Sequence, residues 1–81
     1  MPQADLRALV EYLARGLVDD PETVSVKASE RERIVYIEIR VPADQVGKVI
    51  GRKGRIIGAI RTVAKAAAVR TGRRVVVEIV H

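Results

Sequence analysis

Few side chains of this chain could carry out catalysis. The 81-residue sequence has no cysteine, and its single histidine, His81, is the last residue. Ser25 and Ser29 have no histidine near them in sequence that could act as a base. The acidic pair Asp19 and Asp20 directly precedes a proline, a pattern more typical of a helix stop than of a metal site. The sequence therefore predicts a protein that is not an enzyme and needs no metal or cofactor.

The clearest chemical feature is the segment VGKVIGRKGRII at residues 46–57. Within it Gly51 and Gly54 enclose Arg52 and Lys53, and we call these four residues the glycine loop. Glycines permit a sharp reversal between two helices and leave the backbone open to a ligand. The N–H groups at the start of the second helix, together with the positive end of its dipole, attract anions. We therefore expect the glycine loop to bind phosphate, with its two cations projecting at the tip.

Two other phosphate-binding motifs are excluded by their spacing. A P-loop needs six-residue glycine spacing followed by lysine and serine or threonine, and GKVIGRKG at residues 47–54 does not supply it. A dinucleotide-binding fingerprint needs its glycines directly after a strand, whereas Gly51, Gly54 and Gly58 follow a predicted helix.

The charge of the chain is unevenly distributed. Residues 1–46 contain six basic and nine acidic side chains, a net charge of −3. Residues 47–81 contain nine basic and one acidic side chain, a net charge of +8, so the whole chain carries +5. One part of the fold therefore presents a positive surface, which attracts polyanions such as nucleic acids.

Hydrophobic periodicity predicts six elements. In order, they are a helix at residues 3–17, strands at 23–29 and 34–41, helices at 43–50 and 55–71, and a strand at 73–80. The segment DDP at 19–21 ends the first helix, and ERER at 30–33 is a charged turn between the first two strands. The longer helix has a predicted buried stripe of Ile56, Ile60, Val63 and Ala67 and ends at Gly72.

The resulting order, α-β-β-α-α-β, predicts a single α+β domain over residues 1–81. The first two strands form an antiparallel hairpin, and the two intervening helices allow the third strand to lie parallel to the second. This gives a three-stranded mixed sheet covered on one face by three helices. The other face, which includes Tyr36, Glu38 and Val76, is expected to meet solvent.

The segment VIGRKGRII at residues 49–57 resembles the core of a KH domain, in which an Ile-Gly-x-x-Gly loop clamps the backbone of a nucleic acid. The element order resembles the type II KH fold, and the likeness covers essentially the whole chain. A stand-alone domain of this size is similar to the KhpA family of small bacterial RNA-binding proteins. The loop pattern shows no departure from that of the family.

The resemblance implies a set of RNA-binding residues. The clamp would be Gly51, Arg52, Lys53 and Gly54, flanked by Lys48 and Arg55, and the apolar groove would be formed by Val46, Val49, Ile50 and Ile57. About four bases of single-stranded RNA would lie between the helices and strand 34–41. The resemblance also implies pairing with a second copy or with another KH-containing protein, and a role as a post-transcriptional regulator or RNA chaperone.

Physical arguments add three expectations. The groove has no aromatic platform for stacking bases, so sequence specificity should be low. A site of about four nucleotides binds weakly on its own, and joining sites can multiply affinity ~10²–10⁴-fold, which favours a dimer. The stretch MPQADLRALV lacks the pattern of a signal peptide, and no apolar run approaches the ~18 residues of a membrane span, so a cytoplasmic location is expected.

Two other functions stay open from the residues alone. The domain could be a protein-assembly module for which RNA is incidental. It could also bind single-stranded DNA, since the fold does not exclude it.

Overall fold

Three helices and three strands form in the predicted order. The structure is a computed structural model that describes residues 3–81, with side chains described from Leu6 onward, so the start of the stretch examined for a leader lies outside it. The elements are helices α1 (Gln3–Arg15), α2 (Val46–Ile50) and α3 (Arg55–Val69), and strands β1 (Ser25–Arg31), β2 (Ile34–Arg40) and β3 (Arg74–Val80). Short 3₁₀ turns occupy Pro21–Thr23, Ala43–Gln45 and Arg52–Gly54.

The sheet has the strand order β1-β2-β3, with β2 at its centre. β1 pairs with β2 antiparallel, placing Val26 opposite Ile39, and β2 pairs with β3 parallel, placing Ile37 opposite Val77. Helices α2 and α3 make the crossover that a parallel pair requires. α1 packs on β1 and β2, and α3 packs on β3, so the α+β architecture predicted from the sequence is confirmed.

The core is entirely aliphatic, because the chain has no phenylalanine or tryptophan and neither of its two tyrosines is buried. The two sides of the core are the helices and the inward-facing residues of the strands, with Val10, Val35, Ile39 and Val49 completely inaccessible to solvent. Each such side chain contributes roughly 1.5–3 kcal/mol by its burial. Among residues 6–81 no polar or charged side chain is buried, so the core holds no unpaired polar group.

The predicted buried stripe of α3 is partly wrong. The buried residues are Ile57, Ile60, Ala64 and Ala68, whereas Val63 is 44% exposed. Hydrophobicity alone ranks Val63 above its neighbour Ala64. However, the side of α3 that packs into the core is occupied by the small side chain, and the larger one points away from it.

Several element boundaries also differ from the predictions. β1 extends through Arg31, so the turn of the hairpin is only Glu32 and Arg33, whose φ angles are 52° and 66°. A two-residue turn with positive φ matches the twist of the paired strands. The predicted helix at 43–50 is a 3₁₀ turn followed by the five-residue α2. α3 ends at Val69, and Gly72, at a φ of 73°, closes it as predicted by donating to the Val69 carbonyl at 3.0 Å.

Candidate nucleic-acid interface

The two glycines of the loop are needed for different reasons. Gly51 has φ 77° and ψ 171°, a region open essentially only to glycine, and a Cβ there would lie 2.5 to 2.8 Å from the side chain of Ile56. Gly54 has φ 72° and ψ 16°, but a Cβ there would meet nothing within 4 Å. Gly51 therefore lets α2 lie against the start of α3, while Gly54 leaves the N-terminus of α3 open.

The tip of the loop presents two exposed cations on a tight turn. The Gly54 N–H donates to the Gly51 carbonyl at 3.1 Å, which holds Arg52 and Lys53 outward as a single 3₁₀ turn. Lys53 adopts a left-handed conformation at φ 57° and ψ 25°, which costs a non-glycine residue roughly 1–2 kcal/mol. The loop therefore keeps both cations at its tip at a cost in backbone strain.

The first turn of α3 has no side-chain cap, because its N-cap residue is Gly54. The Arg55 N–H, the first of α3, donates to the Arg52 carbonyl of the loop, and the next N–H groups of such a turn have no partner within their own helix. They lie directly after the two cations of the loop in the chain, and the positive end of the helix dipole adds to the same field. The two basic side chains of the loop and the N-terminus of α3 thus lie next to each other in the chain, and the clamp expected from the sequence stays a prediction.

Lys48 is not a free cation. Its Nζ lies 2.6 Å from Oδ1 of Asp19, which follows α1 in the chain, and Gln45 donates to the same carboxylate at 3.4 Å. The hydrogen bond from Lys48 and its positive charge hold the pKa of Asp19 below its usual value. Any phosphate that binds Lys48 must therefore compete with a carboxylate. Arg55 is exposed beside the loop and takes part in no ion pair among residues 6–81.

The predicted apolar groove needs correction, because two of its four residues lie in the core. Val49 is 0% and Ile57 is 6% exposed, so neither can offer a surface to a base. Val46 and Ile50 are half-buried and pack on the edge of the core. The short α2 and the first turn of α3 each have one side that faces the core. Val49 and Ile57 are on that side.

The wall of the groove is also different from the prediction. Strand 34–41 was expected to bound the bases, but β2 is the central strand and is hydrogen-bonded along both edges. The strand next to α3 with an unpaired edge is β3. A depression of about 350 Å³ lies between α3 and β3 and is lined by Arg61, Lys65, Val75, Val76, Val77 and Glu78. We call it the β3-edge groove.

The β3-edge groove continues toward the end of α3. A second depression of about 300 Å³ is lined by Lys65, Val69, Arg73, Arg74 and Val75. Arg73 is paired with Glu30 at 2.8 Å, whereas Lys65 and Arg74 take part in no ion pair within residues 6–81. None of these cations is among the RNA-binding residues predicted from the sequence. The signal that they share a groove was the predicted parallel crossover, which places the last strand beside α3.

The other side of α3 is apolar. Leu13 of α1 and Leu17, in the turn that follows α1, face Ile56, Ala59 and Val63 across a shallow depression of about 320 Å³. We call this surface the α1–α3 face. Arg55 lies at its rim, so it adjoins the glycine loop.

The described part of the chain offers little for other kinds of site. No group of three histidine, cysteine, aspartate or glutamate side chains within it could hold a metal ion. None of the helices in that part is long and apolar enough to cross a membrane.

Two known structures contain a region with the same fold as this chain. The chain superposes on Aquifex aeolicus Era bound to GDP·AlF4⁻ with a TM-score of 0.67 and 23% identity. It also superposes on Era in complex with MgGDPNP and nucleotides of 16S ribosomal RNA, with a TM-score of 0.65 and 24% identity. In both cases the match covers 99% of this chain and 32% of the other, so the chain spans about a third of those proteins.

Sequence relatives match the chain over nearly their full length. The RNA-binding protein KhpA of Clostridium perfringens is 48% identical over 75 residues, which cover 93% of this chain and 100% of the relative. The RNA-binding protein KhpA of Aquifex aeolicus is 45% identical over 76 residues, or 94% of this chain and 96% of the relative. A family model described as KhpA/KhpB, KH domain matches residues 7–79. This chain therefore belongs to the KhpA/KhpB family of KH domains, as the glycine loop and the element order suggested.

Proposed function

We propose that this protein binds single-stranded RNA and catalyses no reaction, acting as a post-transcriptional regulator or RNA chaperone. The glycine loop holds the phosphate backbone, and the bases lie along the β3-edge groove. The observation that carries the proposal is the loop itself, where two exposed cations adjoin the uncapped N-terminus of α3. The names of the KhpA relatives, which are RNA-binding proteins, support the same function.

The dimensions of the groove fit a short RNA segment. From Arg55 to Lys65, α3 rises ~15 Å at 1.5 Å per residue, and a KH loop clamps about four nucleotides. The groove contains no aromatic side chain among its lining residues, so bases gain little from stacking. Affinity then depends mainly on phosphate contacts, and a single domain should bind in the micromolar range or more weakly.

The first experiment measures binding of a mixed-sequence single-stranded RNA by fluorescence anisotropy. The variant Arg52→Asp/Lys53→Asp reverses both loop charges, and aspartate tolerates the left-handed backbone at residue 53. The matched control is Arg31→Asp/Arg33→Asp in the β1–β2 hairpin, because it changes the net charge equally and Arg33 also has positive φ. We expect the loop variant to lose binding at least tenfold beyond the control, with both variants folded by circular dichroism. Equal binding by the loop variant and the control would refute the clamp.

RNA and single-stranded DNA are separated by competition. Only RNA offers 2′-hydroxyl groups, so unlabelled RNA of the same sequence should displace the probe at a lower concentration than DNA. Equal displacement would assign the protein to single-stranded nucleic acids in general.

We further propose that two KH domains pair through the α1–α3 face, either as two copies of this chain or with another KH-containing protein. Val63 is 44% exposed within an apolar surface, which is costly to leave in water. A pair would place two weak RNA sites on one molecule and raise affinity for long RNA.

Changing Val63→Lys tests the pairing. We expect it to reduce the molar mass measured by light scattering to that of the monomer, whereas Arg52→Asp/Lys53→Asp leaves the mass unchanged. If the lysine variant has the same mass as the wild type, the α1–α3 face is not the pairing surface. If the pair persists in the loop variant and the wild type binds RNA no better than that variant, RNA binding does not use the glycine loop and the protein-assembly alternative is favoured.

A further inference from the structure

The free edge of β3 presents alternate backbone groups to the groove. The N–H of Arg74 and the carbonyl of Val80 both bond toward the β2 side of the strand, to the Arg33 carbonyl and the Val41 N–H respectively. In a parallel strand the N–H and C=O of one residue point to the same side, and the side alternates from residue to residue. The N–H and carbonyl groups of Val75, Val77 and Ile79 therefore point toward the free edge.

One of these outward acceptors is already occupied by a side chain. Arg61 extends from α3 and donates to the Val77 carbonyl from both Nε, at 3.1 Å, and Nη2, at 3.0 Å. A planar guanidinium that uses two N–H groups on one acceptor is held in a fixed orientation. The contact joins the helix wall and the strand wall of the β3-edge groove at its centre.

The contact changes the hydrogen-bonding character of the groove. On an unoccupied strand edge, each residue whose backbone groups point outward offers a ligand one donor, its N–H, and one acceptor, its carbonyl. At Val77 the acceptor is covered, while the outward N–H remains and the guanidinium adds its other N–H groups beside it. This position of the groove therefore consists of donors.

We propose that Arg61 sets the base preference of the groove by making this position selective for carbonyl oxygens. The proposal rests on the proposed RNA-binding function and specifies which bases it favours. Uracil presents O2 and O4, and guanine presents adjacent O6 and N7 acceptors that suit an arginine. Adenine has no carbonyl oxygen, and beside each of its acceptors N1 and N7 lies the exocyclic amino group, which would be a donor facing donors. The groove should thus favour uracil and guanine over adenine.

The test compares the affinities of the U10 and A10 oligoribonucleotides for the wild-type protein and two variants. Arg61→Met removes the guanidinium, retains an unbranched side chain and uncovers the Val77 carbonyl. Lys65→Met is the matched control, since it lies one turn further along the same groove and loses the same charge. Self-stacking of A10 is the same in every measurement, so it cancels when the U10-to-A10 affinity ratio is compared between proteins. Thermal melting checks that each variant is folded.

We expect Arg61→Met to lower the U10-to-A10 ratio about tenfold, which is within the range of one specific base contact, while Lys65→Met weakens both oligomers equally. If Arg61→Met also weakens both equally and leaves the ratio unchanged, Arg61 contributes only charge and the inference is wrong. The proposed function would survive that result, provided that the wild type binds U10 in a manner that depends on Arg52 and Lys53. If U10 binding by the wild type does not depend on Arg52 and Lys53, both the proposed function and the role of Arg61 are wrong. Arg61→Lys retains the charge without the planar fork, so it should behave like the methionine variant in the ratio.

Discussion

The two flanks of α3 present opposite chemistry. The flank toward β3 carries Arg61 and Lys65 and borders an unpaired strand edge. The flank toward α1 carries Ile56, Ala59 and Val63 and is apolar. Both flanks start at the glycine loop, because Gly51 packs on Ile56 while Gly54 opens to solvent. A single 15-residue helix can therefore provide a nucleic-acid surface and a protein surface that do not overlap.

Two separate flanks would let so small a domain bind RNA and a second KH domain at the same time. A chain of 81 residues has little surface to spare once its core is covered. The buried residues of α3, at positions 57, 60, 64 and 68, leave a flank on either side of the core-facing stripe. The division depends on how the glycine loop positions the start of the helix, so the strongest test is directed at the loop.

The largest effect is expected from comparing the two loop glycines. Gly51→Ala forces a Cβ into Ile56 and a non-glycine residue into a nearly forbidden conformation, which should lower the free energy of unfolding by about 2–4 kcal/mol. Gly54→Ala meets open space and bears only the left-handed backbone cost of about 1 kcal/mol. Urea denaturation measures both. Equal losses in the free energy of unfolding would mean that Gly51 does not pack against Ile56 as the structure indicates.

The next effect concerns the salt dependence of RNA binding, to which the loop cations Arg52 and Lys53 should contribute. Arg52→Gln/Lys53→Gln removes two phosphate contacts, each of which contributes ~0.7 to the slope of log affinity against log salt for single strands. We expect the slope measured between 50 and 300 mM KCl, a range of about sixfold, to become shallower by ~1.4. The matched variant Arg31→Gln/Arg33→Gln should leave the slope unchanged. A slope that falls equally in both would indicate a diffuse field instead of a clamp.

Much of this architecture follows from the sequence, for identifiable reasons. Alternating apolar residues at 34–41 place β2 correctly, and the glycine spacing at 51–54 locates the loop, because both signals are local. The parallel crossover was also predictable, since two helices separate the last two strands. The assignment of Val49 and Ile57 to the groove failed because an aliphatic residue beside a loop has the same pattern whether it faces the core or a ligand.

The remaining differences involve residues far apart in the chain. Lys48 pairs with Asp19, which is 29 positions earlier, and Arg61 reaches Val77, which is 16 positions later. Neither contact leaves a periodic trace in the sequence. The same holds for the choice of β3 over β2 as the groove wall, which depends on strand order in the sheet and on which edge is paired.

A smaller effect is expected from the ion pair in which Asp19, after α1, holds Lys48 beside the glycine loop. Asp19→Asn should release Lys48 for phosphate and raise RNA affinity by about twofold to threefold, which is the scale of an exposed ion pair. Glu38→Gln provides the control, because it removes the same charge from an exposed pair with Arg40 on the open face of the sheet. If both variants gain equally, the increase reflects net charge, and Lys48 makes no specific contribution.

The smallest effect is the pH dependence of the same pair. Lys48 lowers the pKa of Asp19 below the ordinary value of 3.8, so the folded protein keeps this carboxylate charged in more acidic solution than the unfolded chain does. The stability contributed by the pair is therefore fully present above pH 3.8 and is lost as the pH falls through the lowered pKa. Carbon-detected NMR of the Asp19 carboxyl should show a midpoint below 3.8 that rises in Lys48→Gln. A midpoint that does not move in this variant would show that Lys48 is already free in solution. The predicted gain in RNA affinity from Asp19→Asn would then have no basis.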